Sequence, residues 1–140
     1  MQIVFCVLIT FGFLWPNLNN GWVNWDDQGY VLENHLVRDL SWNGIQEIFS
    51  KLQVMGLYHP ITVISLAIDH QFSGNDAFSY HLTNTLFHLV NVALVYLFIH
   101  KLAARKDMAI ICALLFGIHR AVQVTEQQHC PILLLHQDLV

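Results

Sequence analysis

The sequence predicts an all-α membrane protein with about three transmembrane helices and a large extracytoplasmic loop that contains short interfacial helices. Three observations support this fold class. Of the 140 residues, 55% are apolar and only 11% are charged, whereas a soluble domain carries about 25% charged residues. The apolar residues occur in long runs that are separated by polar stretches. Half of the six basic residues lie in one short turn, from Lys101 to Lys106.

The charge argues against a nucleic-acid-binding protein, and the cysteine spacing argues against a cysteine metal site. The net charge is -4 and the basic residues form no patch, so we expect no nucleic-acid partner. The three cysteines, Cys6, Cys112 and Cys130, are an odd number and lack the spacing of a metal site. Cys6 and Cys112 lie inside apolar runs, which favours buried free thiols over a disulfide.

The first predicted element is a membrane helix over residues 2–16, which are almost wholly apolar. A full span needs about 20 residues, whereas the core of a signal peptide has about 7–15. No Lys or Arg precedes the run, and no clear cleavage motif of small residues follows it. We therefore expect an uncleaved first membrane helix that extends to about Leu18.

Residues 19–56 are mixed and polar, as expected for a water-facing loop, and they contain the adjacent acids Asp26 and Asp27 between aromatic and polar neighbours. Two adjacent carboxylates repel each other, so a cation, a proton or a hydrogen-bond donor must stabilise them. A divalent cation beside Asp26 and Asp27 is one such partner. An acidic turn or a helix N-terminus is the simpler interpretation of the pair.

Two short helices are predicted in the rest of this loop. Ser41 is a plausible N-cap for a helix through Phe49, in which apolar residues recur at helical spacing. The second helix follows Tyr58 and His59, and its apolar run over residues 61–70 is too short to cross a membrane. His59 either begins this helix, since Pro is favoured in a first turn, or binds substrate. We expect Asp69 and His70 to cap the helix, and residues 71–79 to form a turn.

The segment from Tyr80 to His100 is the best candidate for a transmembrane helix. Four polar residues are spaced by three, four and three positions and therefore share one helical face. They are His81, Asn84, His88 and Asn91. A polar face in a span contacts protein or a water-filled cavity. Hydrogen bonding between helices and contact with substrate are both compatible with this pattern.

The basic turn from Lys101 to Lys106 is cytoplasmic by the positive-inside rule. A third apolar helix, Asp107–His119, then returns the chain to the opposite side. With this topology the loop 19–79 and His119 lie on the extracytoplasmic side. The acidic pair, Tyr58 with His59, and the start of the polar-faced helix would then share that side with His119, which indicates a site there.

Several of these residues occur in an order that resembles a known family. The run from Asn24 to Asn34 is similar to the start of the first outer loop of membrane glycosyltransferases with the GT-C fold. The similar group is that of the protein O-mannosyltransferase-like enzymes, which includes bacterial relatives and the transmembrane-and-TPR mannosyltransferases. The resemblance covers residues 1–119, and it continues through Tyr58–Thr62, Asp69, Tyr80–Asn84, His88, Asn91 and Ala113–His119.

The resemblance implies that a sugar (mannose-like) is transferred from a polyprenyl-phosphate donor to a protein or glycan hydroxyl. It implies a multi-pass protein of the endoplasmic reticulum or a bacterial inner membrane, with its active face extracytoplasmic. Asp26 or Asp27 would be the general base on the acceptor hydroxyl. We expect no metal-binding histidine cluster, since no His-x3-His pair is present. The implied substrate-binding residues are Tyr58, His59, His81, Asn84, His88 and His119.

The chain departs from this family after His119. Residues 120–140 form a divergent tail, in which the expected Pro, Trp and Arg-containing stretch is absent. We therefore expect residues 1–119 to be the N-terminal part of a truncated GT-C fold that is inactive alone. A small non-enzymatic membrane protein, with a role in assembly or ion binding, is the alternative function.

Overall fold

A computed structural model describes residues 1–22, 27–51, 56 and 58–129, with only the backbone described over 120–129. All regular secondary structure in this part of the chain is helical, which confirms the all-α prediction. Short 3-10 or π turns lie between the α-helices, at Trp15–Asn19, Gln28–Leu32 and His35–Arg38. The α-helices are α1 (Gln2–Leu14), α2 (Trp42–Ser50), α3 (Pro60–Ser73), α4 (Ala77–Ala103) and α5 (Lys106–His129).

The chain divides into two compact units. The first unit contains Met1–Leu18 together with the chain from Asn84 onward, and the second unit is Asn19–Thr83. Helices α1 and α5 and most of α4 thus belong to the first unit. Helices α2 and α3, with the turns before them, belong to the second.

The core of the first unit is built from small side chains on α5. Ala109 and Ala113 are fully buried against Cys6 of α1 and against Val92 and Tyr96 of α4. Residues four positions apart lie on the same face of a helix, so α5 presents a low ridge to its neighbours. A ridge of small residues allows two helix backbones to approach closely and to make many dispersion contacts.

Helices α1 and α5 approach each other closely at Gly117, which continues the same ridge. A Cβ atom at Gly117 would overlap Thr10 Oγ1 and lie 3.0 Å from Thr10 Cγ2. Thr10 is fully buried. Glycine is therefore required at this position because of space and not because of its backbone freedom.

The second unit has its own apolar core. Leu36 and Val37 of the 3-10 turn pack with Ile48 of α2 and with Val63 and Ala67 of α3. Each of these side chains is at most 6% exposed. Most of the apolar surface that α2 and α3 bury thus faces one small cluster.

The predicted first helix of the loop is confirmed as α2. Ser41 is its N-cap residue, and Ser41 Oγ accepts a hydrogen bond from the Gly44 backbone N–H at 3.2 Å. Of the apolar residues expected on its buried face, Ile48 is buried, but Trp42 is 72% exposed and Phe49 is 48% exposed. The helix therefore leaves an aromatic surface uncovered.

Helix α3 is longer than its apolar run predicts. It continues to Ser73, so the turn that we expected over residues 71–79 is reduced to 74–76. The helix stops at Gly74, whose φ of 60° is a conformation that glycine adopts without a steric penalty. The Gly74 N–H donates to the His70 carbonyl oxygen at 2.8 Å and closes the last turn.

The turn predicted over Lys101–Lys106 is shorter in the structure, because Lys101 lies within α4 and Lys106 within α5. Helix α4 ends at Ala103 and α5 begins at Lys106, so only two residues connect them. Ala104 has a φ of 53°, in the left-handed region. Its N–H still donates to the His100 carbonyl oxygen at 3.0 Å.

Among the described residues, two segments are long and apolar enough to cross a membrane, Gln2–Asn19 and Ala77–Ala103. Helix α5, predicted as a third span over Asp107–His119, is not one of them. A helix over that stretch rises about 20 Å, less than the hydrocarbon thickness of about 30 Å. Beyond His119 the helix continues through a polar sequence.

We expect Gly117→Ala to destabilise the first unit by about 1–3 kcal/mol, since the added methyl group overlaps the buried Thr10 side chain. The matched control is Gly12→Ala in α1, where a Cβ meets nothing within 4 Å; we expect no loss there. Thr10→Ala should partly rescue Gly117→Ala by removing the overlapping atoms. Thermal unfolding of the detergent-solubilised chain measures all three effects, and equal unfolding temperatures for the two alanine variants would contradict the close contact.

Candidate functional site

Of the acidic pair, the structure describes Asp27, which belongs to the second unit. Asp27 is half-buried and precedes the π-helical turn Gln28–Leu32, and its side chain does not cap that turn. Asp26 lies outside the described residues, so its predicted role stays a prediction. The turn itself is held in place because Val31 is buried and Asn34 Nδ2 donates to the Tyr30 carbonyl oxygen at 3.2 Å.

A cationic side chain fastens the end of this turn. Arg38 Nη2 donates to the Leu32 carbonyl oxygen at 2.8 Å. A guanidinium has five N–H donors, and this bond uses one of them. Lys51, by contrast, forms an ion pair with Glu47, with Nζ at 2.7 Å from Oε1. Arg38 is thus a positive charge beside the turn that Asp27 precedes.

Trp22, which lies shortly before the acidic pair in the sequence, is fixed on the corner between α3 and α4. Its indole Nε1–H donates to the Asn75 carbonyl oxygen at 2.9 Å. Its ring packs edge-to-face on Tyr80, with 5.0 Å between ring centroids, and lies 6.4 Å from the ring of His81. Tyr80 is 2% exposed, and its hydroxyl donates to the Gly74 carbonyl oxygen at 2.8 Å.

His81 is the predicted site residue with the most unusual surroundings. Its Nε2 atom is buried and has no hydrogen-bond partner within the described part of the chain. Leaving a buried polar nitrogen unpaired costs free energy. A ligand that offers a hydrogen bond to this nitrogen would recover that cost.

Asp69 and Thr83 form a polar contact between α3 and α4 that the sequence analysis did not identify. Thr83 Oγ1 donates to Asp69 Oδ1 at 2.8 Å. Burial raises the pKa of Asp69 above its usual value, and the hydrogen bond from Thr83 offsets part of that rise. The expectation that Asp69 caps α3 is wrong, because its carboxylate bonds to α4 and the cap is made by Gly74 on His70. In the sequence, the sign of this contact is one acidic residue, Asp69, at the end of an apolar run.

Tyr58 and His59 lie at the start of α3. The Tyr58 hydroxyl donates to the Phe49 carbonyl oxygen at 3.0 Å and so ties this segment to the end of α2. His59 is the N-cap residue of α3 and Pro60 occupies its first turn, which confirms the prediction that this pair begins a helix. Both side chains remain largely exposed.

The polar face of α4 divides between the two units, because His81 belongs to the second and Asn84, His88 and Asn91 to the first. His88 Nε2 lies 3.2 Å from the Gly117 carbonyl oxygen, and its ring stacks on Phe116 with 5.2 Å between centroids. Since a carbonyl only accepts, Nε2 must carry the proton in this contact. Asn84 and Asn91 are exposed. His88 thus has an interhelical role, which is one of the two that the sequence pattern allows.

His119 is exposed at the end of the described side chains. Among the described residues, no group of three or more His, Cys, Asp or Glu side chains is arranged to hold a metal ion. The divalent cation predicted beside Asp26 and Asp27 involves a residue outside that part, so it stays a prediction.

Comparison with known proteins shows a partial similarity to one kind of enzyme. Over 62 residues the chain is 39% identical to protein O-mannosyl-transferase TMTC3 of Mus musculus and 36% identical to the protein of the same name from Homo sapiens. The matched stretch is 44% of this chain and only 7% of the length of each relative. No family model matches the chain. No solved structure matches it either.

Asp69 provides a test of the contact between α3 and α4. Because burial raises the pKa of Asp69 above 3.8, the folded chain holds this proton more tightly than the unfolded chain does. The stability from this group is fully present below pH 3.8 and is lost as the pH rises through the raised pKa. Asp69→Asn keeps an acceptor for Thr83 and removes the titration. The unfolding temperature of this variant should therefore rise relative to that of the wild type as the pH increases from 3.8 through the raised pKa.

The control for this prediction is Asp107→Asn, because a hydrogen bond from Arg105 lowers the pKa of Asp107. Its stability contribution is present above pH 3.8 and is lost as the pH falls, so the difference from wild type should have the opposite sign. A pH-independent difference for Asp69→Asn would show that the carboxylate is not buried against α4.

Proposed function

We propose that this chain is part of a membrane glycosyltransferase that transfers a mannose-like sugar from a polyprenyl-phosphate donor to a hydroxyl of a protein or glycan. The observation that carries the proposal is the similarity to protein O-mannosyl-transferases of mouse and human over 62 residues. The chain spans 7% of the length of those relatives. The activity of those full-length relatives is therefore only proposed for this chain.

In this proposal α4 crosses the membrane. Its outward face carries large apolar side chains, and Phe87, Val90, Leu94 and Phe98 are each more than half exposed. Burying apolar surface is worth about 25 cal/mol per Å², so lipid is a far better environment for this face than water. The basic turn after Ala103 favours the cytoplasm for that end of the helix. The other end of α4, at Ala77, is then extracytoplasmic.

The proposed reaction needs a base and a way to stabilise a departing phosphate. Asp26 or Asp27 accepts the proton of the acceptor hydroxyl while its oxygen forms a bond to the anomeric carbon of the sugar. The bond between that carbon and the donor phosphate oxygen breaks, and polyprenyl phosphate leaves with the electron pair. Because this leaving group is already a stable anion, it requires positive charge or hydrogen-bond donors more than a strong acid.

Residues that support the phosphate side of the reaction are found in the second unit. Arg38 is fastened to the turn that Asp27 precedes and has further N–H donors in its guanidinium. His81 has a buried nitrogen that is unpaired within the described residues. We propose these two groups, with Tyr58 and His59 at the start of α3, as contacts for the substrates. That Asn84, His88 and His119 of the first unit bind substrate stays a prediction from the sequence.

A non-enzymatic membrane protein is the second candidate. The observation that favours it is the contact of His88 with the Gly117 carbonyl oxygen and with the ring of Phe116. A histidine engaged in this way stabilises the packing of α4 on α5 and needs no substrate. Activity measurements separate the two candidates.

The proposed topology of α4 can be tested with cysteine labelling of the full chain in intact cells. A membrane-impermeant maleimide should label Asn75→Cys from outside and should label Ala103→Cys only after permeabilisation, because the two positions flank the proposed span. The unsubstituted chain is the control, because it shows how much maleimide the native cysteines take up. Labelling of Ala103→Cys from outside would reverse the topology and place the acidic turn in the cytoplasm.

The proposed base can be tested in membranes that contain the chain, with polyprenyl-phosphate [³H]mannose as donor and a peptide rich in Ser and Thr as acceptor. Removing a general base typically lowers a rate about 10²–10⁴-fold. We expect a loss of this size for Asp26→Asn or Asp27→Asn, and for the double variant. Asp107→Asn, which removes a carboxylate of the other unit, should leave the rate unchanged. Wild-type transfer by the double variant would exclude both acids as the base, and any transfer by the wild-type chain would exclude the non-enzymatic candidate.

A further inference from the structure

We infer that α3 is a membrane-docking helix, whose outer face lies against lipid at the boundary where α4 enters the bilayer. The outer face consists of Ile61, Ile68 and Phe72. The inference rests on the proposed span of α4 and does not depend on sugar transfer. Three observations support it: the outer face is apolar and uncovered, the charged side chain of α3 is bonded to α4, and that bond fixes the level of α3 beside α4.

The outer face of α3 is uncovered along the whole helix. Ile61 is 75% exposed, Ile68 is 44% exposed and Phe72 is 87% exposed. Spacings of seven and four positions place these three side chains on one side of the helix. Val63 and Ala67, on the other side, are buried in the core of the second unit. A large exposed apolar face of this kind marks a contact with a membrane or with another molecule.

The composition of α3 favours lipid as that contact. Asp69 is the one Asp, Glu, Lys or Arg residue of the helix, and its carboxylate accepts a hydrogen bond from Thr83 of α4 at 2.8 Å. The outer face therefore carries no charge that lipid would desolvate. A helix of 14 residues rises about 21 Å, which is too short to cross a hydrocarbon core of about 30 Å. Such a helix lies in the plane of the membrane surface.

The length of α4 gives the level of the membrane boundary. The helix has 27 residues and rises about 40 Å, whereas the hydrocarbon core is about 30 Å thick and takes about 20 residues of helix. Counted back from Lys101, at the basic end of α4, a stretch of that length begins near His81. The first turns of α4, from Ala77 onward, therefore lie among the lipid headgroups.

The bond between Asp69 and Thr83 holds α3 at this level. Both side chains are short, so the bond brings the backbones of the two helices near each other. Asp69 lies more than one turn before Gly74, and Thr83 lies more than one turn after Ala77. A helix that extended from the corner straight out into water could not make this bond. Helix α3 therefore runs beside the first turns of α4, at the depth of about 5–10 Å at which amphipathic helices bind membranes.

The first experiment measures what covers the outer face in the full chain, reconstituted in lipid nanodiscs. A nitroxide spin label is attached at Ile61→Cys, Ile68→Cys or Phe72→Cys, and the unsubstituted chain gives the background from native cysteines. Collisions are measured with oxygen, which dissolves in lipid, and with a water-soluble nickel chelate. We expect the ratio of oxygen to nickel collisions to be severalfold higher at these positions than at Gln71→Cys, the matched control, since Gln71 is an exposed polar residue beside the outer face.

Two other occupants of the outer face would each overturn the inference. If water covers it, the collision ratio at Ile68→Cys and Phe72→Cys equals that at Gln71→Cys. If protein covers it, as in an assembly of two copies of the chain, the labels are immobilised and collide rarely with both reagents.

A label at Leu94→Cys separates failure of the inference from failure of the proposed span, because Leu94 is an exposed apolar residue near the middle of α4. A lipid-exposed label at Leu94 together with a water-exposed outer face leaves the span standing and overturns the docking of α3. A water-exposed label at Leu94 overturns the span, and the inference falls with it.

The second experiment tests whether the outer face stabilises α3. The variant carries Ile68→Ser and Phe72→Ser, since Ser has about the same helix propensity as Ile and Phe. We expect amide hydrogen exchange over Pro60–Ser73 in nanodiscs to be at least about tenfold faster, because burying one large apolar side chain is worth about that factor or more. Gln71→Ser should change it little, and unchanged exchange in α5 shows that the chain remains folded. Wild-type exchange in the double variant would overturn the inference, because an outer face that water already covers loses nothing when it becomes polar.

Discussion

The close contact between α1 and α5 at Thr10 and Gly117 is the constraint on which the first unit depends. A side chain of any size at Gly117 would overlap Thr10. Helix backbones that approach this closely make many dispersion contacts and bring hydrogen-bonding groups of neighbouring helices within reach. Ala109 and Ala113 extend the same contact along α5, and His88 adds the hydrogen bond by donating to the Gly117 carbonyl oxygen. One glycine thus serves both neighbours of α5: its missing side chain admits α1, and its carbonyl binds α4.

The second unit is organised by a different rule, in which large side chains donate to main-chain carbonyl oxygens at the ends of short helices and turns. The last carbonyl groups of a helix have no partner within that helix. Tyr58 satisfies Phe49 near the end of α2, Tyr80 and Trp22 satisfy Gly74 and Asn75 after α3, and Arg38 satisfies Leu32 at the end of the π turn. Short helices that are capped in this way keep fixed ends despite a small core.

Local signals in the sequence predict part of this architecture, and long-range contacts account for the rest. The helix starts at Ser41 and Pro60 follow from chemistry within one turn, and they were predictable. The extent of α3 was not, because the apolar run ends at Asp69 whereas the helix stops only where Gly74 adopts a positive φ. The pairing of Asp69 with Thr83 and the fit of Thr10 to Gly117 join residues far apart in sequence, which periodicity does not report. The chemistry assigned to Asp26 and Asp27 comes from a resemblance, and it stays a prediction.

The two-residue link between α4 and α5 has a consequence for how this protein varies between species. Ala104 has a φ of 53°, a conformation that costs an alanine about 1 kcal/mol and costs a glycine nothing. Selection at this position should therefore favour Gly and Asn, the residues that tolerate such a backbone, and should disfavour Val, Ile and Thr. A branched residue would destabilise the conformation of this link, which keeps the basic side chains on either side of it close together in the chain.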